Sequence, residues 1–145
     1  KTPHDANESV GFVFRCGGSK LSILTDAGRV NERMLDAVAG SSLILIESNH
    51  DVDMLKAGRY PYPLKKRILG DFGHLSNDAC GAALTALYGR GVRRAALGHL
   101  SRENNFESLA LETVRGVLRA SDIPDQAFAL SVAHRDRVGE RYQID

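Results

Sequence analysis

The sequence predicts an α/β fold with a mixed sheet and flanking helices, and three observations carry that reading. Short apolar runs alternate with segments at helical spacing along most of the chain. A glycine-turn hairpin precedes the alternation, which sets an antiparallel pair beside otherwise parallel strands. Three apolar runs end on Thr25-Asp26-Ala27-Gly28, Glu47-Ser48-Asn49-His50-Asp51 and Gly98-His99-Leu100-Ser101. A rigid sheet aims such strand-end loops at one crevice, where ligands and catalytic groups gather.

Ser9 to Cys16 alternates as a strand, Gly17-Gly18 supplies a tight turn, and Lys20 to Thr25 returns as the second strand of the hairpin. Val30 to Ala39 has helical spacing, with Asn31 as cap and Gly40 as stop. Ser42 to Ile46 is a continuous apolar run, as expected of a strand covered on both faces. Asp51 to Leu69 is less regular. Tyr60-Pro61-Tyr62-Pro63 reads as a loop, followed by a short basic helix from Leu64. Asn77 or Ser76 caps a helix through Ala79, Ala83, Leu84 and Leu87 that stops near Gly89 and Gly91. Arg94 to Leu97 is a strand, and Phe106 to Ala120 an amphipathic helix with Leu109, Val114, Val117 and Leu118 inward. Ala127 to Val132 closes as the last strand. Gly-His-Leu-Ser occurs at 73–76 before a helix and at 98–101 after a strand, so the copies read as two different functional loops.

The 145 residues suit one domain, and 43% hydrophobic with 26% charged residues is an ordinary globular mix. No apolar run approaches the ~20 residues of a membrane span, and no signal pattern opens the sequence, so the expectation is a cytoplasmic protein. The first residue is Lys1 rather than Met, which suggests a start partway into a longer parent. Cys16 and Cys80 have neither metal nor redox spacing and read as reduced, buried thiols. A net charge of +1 supplies no global field for a polyanion. The basic clusters at Lys65-Lys66-Arg67 and in the tail read first as solvated faces.

An isolated Asp after a strand is usually a turn former or a cap. Asp26 also has a functional reading, since a short carboxylate on a rigid strand end can bridge two cations. His99 is a structural histidine or a rim ligand, and His4 a frayed terminus or a ligand. Their order along the chain raises all three together.

That order resembles the C-terminal part of a metallo-β-lactamase-fold hydrolase, closest to the YycJ/WalJ-type exonuclease-like group related to ribonuclease Z. The segments that carry the likeness are His4-Asp5-Ala6, Thr25 to Gly28, Glu47 to Asp51, Gly73 to Asn77 and His99 to Asn105. The resemblance implies an αββα sandwich of which residues 1–145 are a single domain lacking its N-terminal portion. It implies His4 as a ligand of one metal, Asp26 as the bridging carboxylate, and His99 as a ligand of the second. The two ions would be zinc, with manganese compatible. His74 resembles the proton donor to the leaving oxygen, and Glu47 the acid that orients it. His50, Asn49, Arg102, Asn104 and Asn105 would lie near the substrate.

His-x-His-x-Asp-His, the fold's most recognisable motif, is absent from the sequence and would precede residue 1. The lost half would leave an inner sheet face needing a partner, either the missing portion or a second copy. The implied activity is a two-metal phosphodiesterase or exonuclease acting on nucleic acid or a small phosphodiester. Ester or thioester hydrolysis on the same fold, and a non-catalytic binding domain, are the competing readings.

Overall fold

The computed structural model describes residues 1–144. Its sheet has the order β1-β2-β3-β4-β5, with β1 (Phe12–Cys16), β2 (Ser19–Leu24), β3 (Leu43–Glu47), β4 (Arg94–Gly98) and β5 (Ala129–Val132). β1 pairs antiparallel with β2, and every other pairing is parallel. The α/β class and the mixed sheet are those expected. The hairpin turns at Gly17, whose φ of 56° is a left-handed value that glycine adopts without steric cost.

The helices are α1 (Glu32–Val38), α2 (Val52–Ala57), α3 (Tyr62–Ile68), α4 (Asn77–Tyr88) and α5 (Glu107–Ala120). Consecutive parallel strands laid down in one direction, joined by right-handed crossovers, place the connecting helices on one side. The burial agrees. In register, Ser22, Ile44, Ala95 and Leu130 form one row, and Leu24, Ile46, Leu97 and Val132 the next. The apolar members of both rows belong to, or pack on, the core that holds Leu35 of α1, Leu84 and Leu87 of α4, and Val114 and Leu118 of α5. Each fully buried side chain of this size contributes about 1.5–3 kcal/mol. α4 and α5 pack tightly at Gly81, where a Cβ would stand 2.7 Å from Cβ of Val117. A side chain there would prise the two helices apart.

No helix covers the other face of the sheet among the described residues. Phe12 and Phe14, cross-strand from Ile23 and Leu21, are 51% and 52% exposed. All of β1 is exposed, so its alternating sequence has no buried side to match. Among the described residues, the tail meets this face at β4 and β5. The Tyr142 hydroxyl lies 2.7 Å from the Ser131 hydroxyl, and Arg94 donates to the Gln143 carbonyl at 3.1 Å.

Several expectations are corrected. Pro61 and Pro63 do not exclude a helix over Tyr62. α3 starts there, with Pro61 as its cap and Pro63 in its first turn, where backbone N–H groups have no intrahelical acceptor to lose. α2 is an addition to the expected elements. Its six residues are too few to show a period, and the Asp51 side chain caps it by accepting from Met54 N at 2.8 Å. In α5, Ala110 is buried, whereas Leu109 and Val117 are only half-buried. Cys80 is buried as expected, but Cys16 is exposed because the edge strand that carries it has nothing above it. No helix among the described residues is long and apolar enough to cross a membrane.

Candidate metal centre

Asp26, Glu47, His74 and His99 present ligand-type atoms that all lie within 4.8 Å of one another. Three of the four follow β2, β3 and β4 at their C-terminal ends, the crevice of an α/β sheet. Asp26 and His99 have φ values of 54° and 56°. The left-handed conformation costs an L-residue about 1–2 kcal/mol, and Asp and His are among the side chains found there more often. The chain therefore bends sharply just past β2 and β4, and brings both side chains to one hollow.

His74 arrives differently. Residues 48–50 and 74–77 run side by side beyond β3, joined by Asn49 N to Leu75 O at 2.8 Å and Asn77 N to His50 O at 2.9 Å. Ser76 then caps α4 by accepting from Ala79 N. Gly73 allows the segment to approach α3, since a Cβ there would stand 2.2 Å from the Ile68 carbonyl oxygen.

His4 is not a frayed end. Asp5 N donates to Phe72 O at 3.0 Å and Gly28 N to Pro3 O at 2.9 Å, which threads residues 3–5 between two site loops. The Arg67 guanidinium grips the Asp5 carboxylate through Nε and Nη2, and this hydrogen bonding holds the Asp5 carboxyl down at about 2. His4 Nδ1 donates to the Gly73 carbonyl at 2.8 Å, leaving Nε2 with its lone pair 3.8 Å from Asp26 Oδ1. Two ligands of one tetrahedral zinc stand about 3.4 Å apart at ordinary bond lengths.

Glu47 organises the centre. Its side chain is fully buried, and Oε1 accepts from Nδ1 of His74 at 2.7 Å and Nδ1 of His99 at 2.6 Å. Oε2 accepts from the backbone N–H of Ala27 at 3.0 Å and of Leu75 at 3.4 Å. Burial alone would raise the Glu47 carboxyl, but the hydrogen bonds from His74 and His99 outweigh it and hold it at about 2. The same bond to Glu47 raises the His99 pKa, against the opposing effect of burial. A carboxylate behind an imidazole fixes the tautomer and turns Nε2 outward, as in metal-ligating histidines. The donor set of imidazoles and carboxylates, with Nδ1 of three rings engaged from behind, fits a borderline divalent cation such as zinc.

An ionised Glu47 favours the folded state above its ordinary pKa of 4.5, and that contribution is lost as pH falls from about 4.5 to about 2. Urea unfolding of metal-free protein across this window should therefore lose stability more steeply than unfolding of Glu47→Gln. Parallel curves would assign the acid lability to another group.

Among the remaining expected site residues, His50, Asn49, Asn104 and Asn105 are buried at 1%, 9%, 1% and 6% exposure. They stand behind the rim rather than on it. Asn49 Nδ2 donates to the His99 carbonyl at 2.8 Å, and Asn105 Nδ2 to Ser48 O at 2.9 Å and Asn49 O at 3.1 Å. Burial lowers the His50 pKa to about 4. Arg102 is exposed and pairs with Asp136 at 3.3 Å. The Asp5–Arg67 pair that anchors His4 has no signal in the sequence, where no spacing links positions so far apart.

No family model matches this chain. In fold it is similar to zinc-bound PqqB from Methylobacterium extorquens, with a TM-score of 0.52 and 19% identity over 90% of this chain and 40% of that one. That likeness defines the class, a metallo-β-lactamase fold. In sequence it is 40% identical over 115 residues to exodeoxyribonuclease YycJ of Bacillus anthracis, covering 79% of this chain and 44% of the relative. It is also 40% identical over 120 residues to exodeoxyribonuclease WalJ of Streptococcus pneumoniae, covering 83% of this chain and 45% of the relative. The chain thus has the metallo-β-lactamase fold, and in sequence it is similar to exonucleases of the YycJ/WalJ group. It spans somewhat under half the length of the curated relatives it matches.

Proposed function

We propose that this chain forms one wall of a cytoplasmic, metal-dependent phosphodiesterase centre that removes nucleotides from nucleic acid. One observation supports it above all: a single buried carboxylate oxygen of Glu47 takes the Nδ1 protons of both His74 and His99. Such an arrangement holds two oriented imidazoles beside Asp26, each with its Nδ1 3.8 Å from Asp26 Oδ1. In this reading His4, Asp26 and His99 hold a pair of divalent ions, zinc or manganese. The chemistry those ions supply is water activation near neutral pH and charge stabilisation at phosphorus.

The chain's own residues do the rest. Asp26, half-exposed at the strand end, sets its Oδ1 3.8 Å from nitrogens of His4, His74 and His99. His99 holds its ligand orientation through Glu47 below and through Asn49 on its carbonyl. The His74 side chain is 17% exposed, and in this reading its Nε2 meets a substrate oxygen. In the imidazolium form that nitrogen carries a proton to hand to the departing oxygen. Simple ester hydrolysis needs no separate acid there, which favours the phosphodiester.

The helix-free sheet face, with Phe12 and Phe14 exposed, is read as the seat of the sandwich's other half or of a second copy. Sedimentation as a monomer with no such partner bound would refute that part.

The deciding experiment incubates the protein with zinc or manganese and compares single-stranded DNA, RNA and a thioester. Release of nucleotides that stops with chelator supports the proposal. Thioester turnover without nucleotide release would replace it with the ester-hydrolase reading, and neither activity with a non-catalytic domain.

A further inference from the structure

We propose that α3 and the end of α2 form a docking surface for single-stranded nucleic acid that leads a strand to the metal centre. The surface deepens the phosphodiesterase reading, and rests on it for the strand's fate, but it is measurable by binding alone.

Three of the exposed large apolar side chains, Tyr62, Leu69 and Phe72, stand on and just beyond α3. Tyr62 is 77% exposed and Phe72 58%. Tyr62, Lys66 and Leu69 fall at i, i+4 and i+7, so they share one face of the helix and its C-terminal turn. With Lys56, Lys65 and Gly70 they line a groove of about 570 Å³. Single exposed apolar residues need no explanation. An aromatic ring interleaved with ammonium groups along one face is different, because it matches a polyanion whose bases are free to stack.

The charge supports this occupant over an acidic protein segment. Lys65 Nζ donates to the Lys56 carbonyl at 2.6 Å, which ties α3 to the end of α2 and fixes one cation in the groove wall. Lys56 and Lys66 form no ion pair among the described residues, so both are available to phosphates. Of the nearby acids, Asp5 is engaged by Arg67, and Asp71 lies 3.8 Å from Arg29. Asp53, in the first turn of α2, is the one acid on these helices.

The groove also runs to the right place. Past α3 the chain turns through Leu69–Phe72, and His74 N donates to Ile68 O at 3.0 Å. The last turn of α3 is thus bonded to the histidine assigned as proton donor. A strand lying along Tyr62 and Lys66 would reach Phe72 and then the hollow of Asp26 and His99. A duplex hides its base faces and cannot stack on Tyr62, so the surface selects single strands.

Fluorescence anisotropy of a short labelled oligothymidylate, in chelator to prevent cleavage, tests this with four proteins. The parent should bind single strands more tightly than duplex. Tyr62→Ala, at an exposed position outside the core, should weaken binding about tenfold. Lys56→Glu with Lys66→Glu should weaken it and flatten the salt dependence by about 0.7 for each phosphate that is no longer neutralised. Arg33→Glu, a like charge change on α1, should bind as the parent does. No binding by the parent, unchanged binding by Tyr62→Ala, equal weakening in Arg33→Glu, or a preference for duplex would each overturn the proposal.

Hydrolysis of bis(p-nitrophenyl) phosphate with zinc or manganese reports on the centre alone, since so small a substrate does not extend to α3. Strand binding through Tyr62 without that hydrolysis would sink the phosphodiesterase reading and leave the surface standing. Hydrolysis without such binding would do the reverse.

Discussion

Replacing Asp26 or His99 by alanine should reduce metal-dependent nucleotide release to background while the protein stays folded. The loss should exceed the about 10²–10⁴-fold that a missing proton donor costs, because it removes the site of the cations rather than one proton transfer. Bound zinc, measured after dialysis, should fall with the activity. The folding cost is small because both side chains are 44% exposed and neither belongs to the core. One complication is the backbone: with φ at 54° and 56°, Asp26 and His99 both stand where alanine is strained by about 1–2 kcal/mol. Asp26→Asn keeps a side chain that tolerates this conformation and removes only the charge, so it separates the two effects. Full activity or full metal content in Asp26→Asn would show that the hollow is not the reactive site.

His74→Ala should lower phosphodiester turnover by about 10²–10⁴-fold with metal content retained. The distinction between acid and ligand rests on the readout, because the geometry alone serves both. Nδ1 of His74 is held by the same Glu47 oxygen that holds His99, and the two rings lie 5.2 Å apart between centroids. If His74 delivers a proton, its removal should be partly offset with a substrate whose leaving group needs none, such as a p-nitrophenyl ester of phosphate. If zinc is lost with the side chain, His74 is a ligand and the proton comes from elsewhere. Glu47→Gln provides the companion measurement. It loosens both rings at once, and outer partners of this kind typically carry 10–100-fold in metal affinity or activity.

Much of the site is legible in the chain because strand ends are local features. The apolar runs stopping at Thr25, Ile46 and Leu97 announce, to within a residue, where β2, β3 and β4 deliver Asp26, Glu47 and His99. The repeated Gly-His-Leu-Ser forms two unlike loops, as its flanking patterns imply, one opening α4 and one closing β4. Less legible is everything that depends on which loop packs against which. Asn49, Asn104 and Asn105 are expected near the substrate, yet Asn49 and Asn105 are buried with their amides donating to backbone carbonyls. α2 is hidden because six residues give no readable period, and the start of α3 because a proline in a first turn resembles one that breaks a helix.

By itself the sequence determined the order of the strands and of every helix but α2, the mixed character of the sheet, and that Asp26, Glu47 and His99 stand where strands end. Those follow from short-range rules, namely the periodicity of apolar residues and the chemistry of caps and turns. Only the tertiary structure decided that Glu47 serves two histidines at once, and that His4 is pinned by Gly73 while Arg67 holds its neighbour Asp5. Hydrogen bonds between residues 27 to 69 positions apart have no periodic signature. They exist because a buried carboxylate must find donors wherever the fold brings them.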